Sequence, residues 1–425
     1  MSNAQWGVRP RVEFEPFSSV HWEDPYPVYR ALREHSPVHW APHAKLFCVS
    51  RHADVDFVLR RPEQFSSRAM TAVMFENKRP ELGDVPSLLR LVMRGRVDVQ
   101  KFFQGPPDAI INADPPRHGG LRGMVSRCFT PRTIAAWEPR IRELVQEYLA
   151  PLRAGQPFDV VSGLAVPLPV VIVTEMLGVE PAWRADFKRW AAGFITYATG
   201  AGRDSRPMRE FFDVLTEFRA YMRTLVEKRR REPTEDLVSV LVDPAQKEVL
   251  DDEELFSFIH TLLLGGNETT TNLIGNAVAA LLDHPDQLAL VQGAPEKIPG
   301  LVEEALRWES PVQFTLRSAV EDVDVGGVRL PAGSNLALLL GAANRDERAF
   351  TSPDTFDVTR TPSPHRAFGF GIHHCLGAGL ARLEARVALE ALVPLLPGVR
   401  RADARREYVD SLMMRGLARL PLVPR

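Results

Sequence analysis

One stretch constrains this chain more than any other: residues 365–386, HRAFGFGIHHCLGAGLARLEAR, where a single cysteine stands between two glycine pairs. Gly369 and Gly371 precede Cys375, and Gly377 and Gly379 follow it. Downstream, Leu376, Leu380, Leu383 and Val387 recur at helical spacing, with Arg382, Glu384 and Arg386 on other faces. Cys375 therefore sits where a glycine loop becomes a helix. Unpaired amides and the positive end of the helix dipole favour a thiolate there. The glycines permit tight turns and leave room for a flat, bulky group against the loop. This is the way to present an anionic sulfur to the metal of a large cofactor. A lone intracellular cysteine is more often a small buried hydrophobe, but the glycine pattern around Cys375 speaks against that. A zinc site built from His373, His374 and Cys375 is rejected, because three successive residues do not converge on one tetrahedral ion and no second ligand cluster at finger-like spacing exists.

A second constraint is a long helical pattern. Asp251 and Glu254 form a capping-box signature opening a helix that runs to about Leu282, where Asp283, His284 and Pro285 stop it. Its flanks, Phe256 to Leu264 and Leu273 to Leu282, are mostly apolar, yet its middle reads GGNETTTN, Gly265 to Asn272. Glycine in a helix interior costs about 1 kcal/mol, and buried Glu and Thr cost more unless partnered. An exposed polar patch halfway along a buried helix is the plain alternative. The functional reading is that Gly265 and Gly266 let a ligand approach the backbone, with a local widening of the helix. Thr269 then donates to a bound oxygen species, with Glu268 behind it as a relay acid.

These two stretches resemble the cytochrome P-450 family. Phe368-Gly-x-Gly371-x-His373-x-Cys375-x-Gly377 is similar to its haem-ligand loop, and Gly265, Gly266, Glu268 and Thr269 to its oxygen-activation motif. The resemblance runs from Asp24 to the end of the chain. It implies a mainly α fold with a small β portion, one haem domain over 1–425 without a fused reductase, and haem b (iron protoporphyrin IX) as cofactor. Cys375 is then the iron ligand, with Phe368 and Gly369 against the cofactor. His118 and Arg122, four apart and so on one helix face, resemble the helix that donates to a haem propionate. Arg317 and His365 complete four donors for two propionates. Glu304 and Arg307 resemble the family's Glu-x-x-Arg structural pair. Thr355 stands where its third partner, an arginine, is expected, and Arg360 is the candidate substitute.

The implied activity is a monooxygenase using O2 on a lipophilic small molecule: a fatty acid, terpenoid, steroid or biosynthetic intermediate. Electrons would come from a separate ferredoxin and ferredoxin reductase, docking on a basic proximal surface for which Arg127, Arg382 and Arg386 are candidates. Weaker candidates for substrate contact are Gly265, Val312, Phe314, Thr315, Leu412, Met413 and Met414. Residues 66–112, broken by prolines and glycines, read as a lid, with Val85, Leu88, Leu89, Val97, Phe102 and Phe103 as pocket walls. A haem-thiolate peroxygenase or coupling enzyme is the nearest rival, and a non-catalytic haem sensor the rival of a different class.

Composition sets the outer bounds. A net charge of -2 over 425 residues gives no electrostatic footprint for nucleic acid. Three scattered cysteines, Cys48, Cys128 and Cys375, make no disulfide framework, which fits a reducing cytoplasm. No stretch reaches the roughly 18 apolar residues of a spanning helix, so a soluble, cytoplasmic protein is expected.

Overall fold

The long helix organises the structure. In the computed structural model, which describes residues 12–69, 73, 85–94, 109–199, 208–246, 250–411 and 413–425, it runs Asp252–Asp283 and is opened by the expected capping box. The Asp251 carboxylate accepts from the Glu254 N–H at 2.9 Å, and the Glu254 carboxylate accepts from the Asp251 N–H at 3.0 Å. At about 1.5 Å per residue such a helix spans most of a domain. It is α-helical throughout, so the widening expected at the glycine pair does not occur. Gly266 is used for packing instead: a methyl group there would strike Val173 on the neighbouring helix Pro167–Met176.

The main hydrophobic core forms around this helix. Leu273, Ile274, Ala277, Val278 and Leu281 pack among buried residues of Pro167–Met176, Ile298–Trp308 and Ala378–Leu392. Two further helices, Arg184–Thr199 and Met208–Arg231, join the same core through Phe194 and Phe218. Phe194 meets His260 of the long helix edge-on, with ring centres 4.3 Å apart.

The β portion is small. A hairpin pairs Val38–Ala41 with Leu46–Val49. Leu46–Val49 runs parallel to Asn335–Leu339, which pairs antiparallel with Phe314–Ala319, and that strand with Phe65–Ser66. Cys48 is buried in this sheet as a packing residue.

Prolines shape two stretches in particular. Residues 131–153 fold as three short helices, Pro131–Ala135, Glu138–Tyr148 and Ala150–Arg153, each carrying a proline in its first turn. Within the stretch expected to be irregular, Val85–Arg94 is a helix with Pro86 in its first turn. Its Leu88 and Leu91 pack on Phe211, Phe212 and Leu215 of Met208–Arg231. Val85 and Leu89 are exposed rather than lining a wall. Val97, Phe102, Phe103 and Leu412 lie outside the described residues.

Candidate active site

The cysteine loop has the geometry its glycines require. Gly369 and Gly371 have φ of +67° and +72°, a region that L side chains rarely adopt. A side chain on Gly371 would also collide with the Leu59 carbonyl. The loop is closed by the Cys375 N–H donating to the Phe368 carbonyl at 2.9 Å. The helix Ala378–Leu392 starts immediately beyond, with Gly377 as its N-cap. Burial pushes the Cys375 thiol up, while the amides of Gly377 and Ala378 and the charges of Arg122 and Arg382 pull it down. His373 and His374 diverge: His373 meets Ser67, whereas His374 lies beside Phe368 with ring centres 6.3 Å apart.

One flank of the loop gathers donors that lack an anion. His118 is buried on the helix Arg117–Ser126, and its Nε2 has no hydrogen-bond partner among the described residues. Its ring lies 4.2 Å from that of His373. Arg317 is 6% exposed on the strand Phe314–Ala319, and its hydrogen bonds go to the Leu316 carbonyl (2.7 Å) and Thr315 Oγ1 (3.5 Å). Arg122 donates to the Ile372 carbonyl at 3.1 Å. Among the described residues neither arginine has a carboxylate partner at ion-pair distance. Burial pushes Arg317 down to about 10, and burial with the neighbouring Arg317, His118 and Arg122 pushes His373 down to about 3. A buried cluster of this kind is complete only with an anion.

His365 does not belong to that cluster. Its Nε2 meets Glu303 Oε2 at 3.1 Å and its Nδ1 accepts from the Ala367 N–H at 3.3 Å, so both ring nitrogens are engaged. His373 occupies the position expected of it. The sequence carried the signal, since His373 lies inside the Gly-x-His-x-Cys pattern, but sequence reasoning gave it no role. Ser67, which meets His373 Nε2 at 2.9 Å and is fixed through its N–H by Asp114 Oδ1 at 2.8 Å, had no sequence signal at all.

The polar interruption of the long helix carries a second group of reactive side chains. Gly265 faces open space, with no atom within 4 Å of where a side chain would begin. The Thr269 hydroxyl donates to the Gly265 carbonyl at 2.8 Å, leaving its oxygen free to accept. Glu268 Oε2 is buried without a hydrogen-bond partner among the described residues, and burial raises this carboxyl to about 7. A protonated acid next to a hydroxyl can pass a proton at neutral pH.

The substrate-contact candidates divide. Thr315 shares a strand face with Arg317 and so borders the site. Phe314 points the other way, 2% exposed among Leu32, Leu316 and Leu339 and edge-on to Phe17, and is core rather than pocket. Met413 packs on that same cluster as filler. Val312 and Met414 are half-buried and bridge the segment after Pro311 to the C-terminal turn.

The structural pair is present and has its third partner. Glu304 and Arg307 are buried and joined by two bonds of 2.7 Å. Arg360 Nε reaches Glu304 Oε2 at 3.1 Å, while Thr355 contributes only its carbonyl, to Arg307 and Arg360. Behind the cysteine, a depression of about 640 Å³ reaches Cys375 and Leu376 between Arg122, Phe129, Arg382 and Arg386. The arginines expected to make this face basic are paired: Arg382 with Glu303, Arg386 with Glu138 and Glu390, and Arg127 with Asp243.

These features fit a haem. A thiol at a helix mouth, room against a helix glycine and a buried donor cluster lacking an anion match an iron, a flat macrocycle and two carboxylates. Known proteins point the same way. The family model for cytochrome P450 matches residues 298–394. The chain is 40% identical over 321 residues to a biotin biosynthesis cytochrome P450 of Bacillus subtilis, covering 76% of this chain and 79% of that one. It is 37% identical to a vitamin D(3) 25-hydroxylase of Pseudonocardia autotrophica, covering 96% and 95%. Cytochrome P450 CYP109Q5 from Chondromyces apiculatus superposes with a TM-score of 0.82 at 38% identity, covering 97% and 98%. P450BioI, solved with a hexadec-9Z-enoic acid-ligated acyl carrier protein, gives 0.83 at 33% identity, covering 96% and 99%.

Proposed function

The chain belongs to the cytochrome P450 family of haem monooxygenases, and from that premise we propose that it oxidises a lipophilic small molecule at a site built around Cys375, Glu268 and Thr269. The observation that carries this reading is the acid–alcohol pair, with its carboxyl oxygen Glu268 Oε2 buried, beside a glycine that faces open space. Haem, when bound, supplies O2 activation and the oxidant for C–H hydroxylation, with the thiolate ligand favouring O–O cleavage.

The protein's own residues do the rest. Cys375 Sγ holds the iron from the end of the glycine loop. Arg317, His118, His373 and Arg122 receive the two propionates, His373 in place of the expected His365. Gly265 gives the macrocycle room, and Thr315 borders the substrate side. Glu268, its carboxyl raised by burial to about 7, holds a proton that an ordinary carboxylate would have lost, and the Thr269 hydroxyl orients it. The acid and the alcohol together favour proton delivery to O2 over a peroxide-only enzyme or a sensor without turnover.

A fatty-acyl or polycyclic apolar substrate fits the relatives, whose printed names refer to hexadecenoic acid on a carrier protein and to vitamin D(3). Electrons arrive from a separate ferredoxin and its reductase at the depression behind Cys375. With Arg382 and Arg386 internally paired, shape and the apolar Phe129 and Leu376 contribute as much as charge to that docking. The haem domain is read as one unit over the chain, working in the cytoplasm.

The test is Thr269→Ala, assayed with a surrogate ferredoxin and reductase and a substrate chosen by its spin-state shift. Product per electron should fall about tenfold or more, with the missing electrons recovered as hydrogen peroxide and the spin-state shift retained. Unchanged coupling would contradict the role of the acid–alcohol pair.

A further inference from the structure

The polar run of the long helix contains one residue that the mechanism above does not use. Asn272 is 1% exposed, and among the described residues neither its Oδ1 nor its Nδ2 has a hydrogen-bond partner. Its neighbours in the run are provided for. Thr269 donates to the Gly265 carbonyl and Thr271 to the Ala165 carbonyl, both at 2.8 Å. Asn276, one turn on, donates to the Glu309 and Arg415 carbonyls, both at 3.0 Å. Between Gly265 and Asn276, the fully buried polar atoms left without a partner belong to Glu268 and Asn272. These two residues are four apart, so their side chains neighbour each other on one helix face. Asn272 is also held from behind: Gly416 in the C-terminal turn lies so close that a methyl group there would collide with the amide.

Two orphaned polar side chains one turn apart, one an acid and the other able both to donate and to accept, suit a shared guest. A buried water typically needs two to four polar partners. The Glu268 carboxyl, the Asn272 amide and the free lone pair of the Thr269 hydroxyl supply that number. An extra ligand is unnecessary to explain them.

We infer that Asn272 is a positioning residue of the proton path, its amide and the Glu268 carboxyl together holding a water that carries the proton from Glu268 toward Thr269. In that step Glu268 releases its proton to the water as the water releases one to the Thr269 side. The carboxylate is then re-protonated from solvent, and no other bond changes. This rests on the monooxygenase reading for the use of the proton, but not for the existence of the water site.

The experiment uses the haem-loaded protein and two readouts. In the resting ferric state, the infrared C=O stretch of protonated Glu268 is assigned by its loss in Glu268→Gln. Asn272→Leu, similar in volume and unable to hydrogen bond, should move that band to higher wavenumber, as for a carboxyl that has lost a hydrogen bond. During turnover the same variant should release several-fold more hydrogen peroxide per electron, with an unchanged spin-state shift on substrate binding. Asn272→Ser, which keeps a hydroxyl for the water, should restore both readouts toward the wild type. If Asn272→Leu does not retain haem, Asn272→Ala is read in the same two ways. An unmoved band and unchanged peroxide yield would overturn the inference and leave the amide as packing against Gly416. A moved band with unchanged coupling would also overturn it, by showing a water that carries no proton, while the monooxygenase reading stands or falls on Thr269 separately.

Discussion

Glu268 is the residue on which chemistry and stability meet. Burial raises its carboxyl from the usual 4.5 to about 7. Between those two values the folded protein keeps a proton that the unfolded chain has released. Unfolding then sheds a proton, so stability falls as pH rises through this window and the loss is complete above about pH 7. Glu268→Gln removes the titrating group. Its unfolding free energy should overtake that of the wild type as pH rises from about 5 to 7.5, by on the order of 2–3 kcal/mol. Parallel pH–stability curves from denaturant titrations would show that Glu268 ionises normally. At this scale the sequence was partly legible. Cys375, Glu268 and Thr269 stand in motifs whose spacing implies their neighbours. The exchange of His365 for His373 was not legible, because both histidines flank the same glycines and only the fold decides that His365 turns to Glu303 and His373 to Ser67.

Elements were legible where capping and periodicity agree. The Asp251–Glu254 box and the apolar flanks gave the long helix almost to the residue. They failed at Pro86, counted among the interruptions of residues 66–112 although it occupies the first turn of a helix. The helix Ile298–Trp308 offers a direct test of an element-level feature, the arrangement of Glu304, Arg307 and Arg360. Arg307→Ala leaves the Glu304 carboxylate buried with one partner fewer and removes five Arg307 hydrogen bonds, to Glu304, Asn344, Pro353 and Thr355; it should cost about 3–5 kcal/mol. Arg360→Ala leaves the two-pronged Arg307 contact in place and should cost less, about 1–2 kcal/mol. Denaturation of both variants checks the order. An Arg360→Ala variant as stable as the wild type would mean that it does not replace the arginine missing at Thr355.

At the scale of the whole molecule, the site is assembled from distant parts of the chain. His118 on one helix, Arg317 on a strand and His373 in the cysteine loop converge, and the long helix presents Gly265 and Thr269 to the open space at Gly265. Sequence spacing cannot give such convergence; the family resemblance implied it for His118 and Arg317 but not for His373. Among the described residues, no helix is long and apolar enough to cross a membrane. Everything proposed here depends on Cys375 binding the haem iron as a thiolate. The most direct measurement is the absorption spectrum of the reduced, carbon-monoxide-bound protein beside Cys375→Ser. Thiolate ligation is expected to give a strongly red-shifted Soret band in the wild type that is lost in the variant. A wild-type band like that of histidine-ligated haem, unchanged by the substitution, would contradict it.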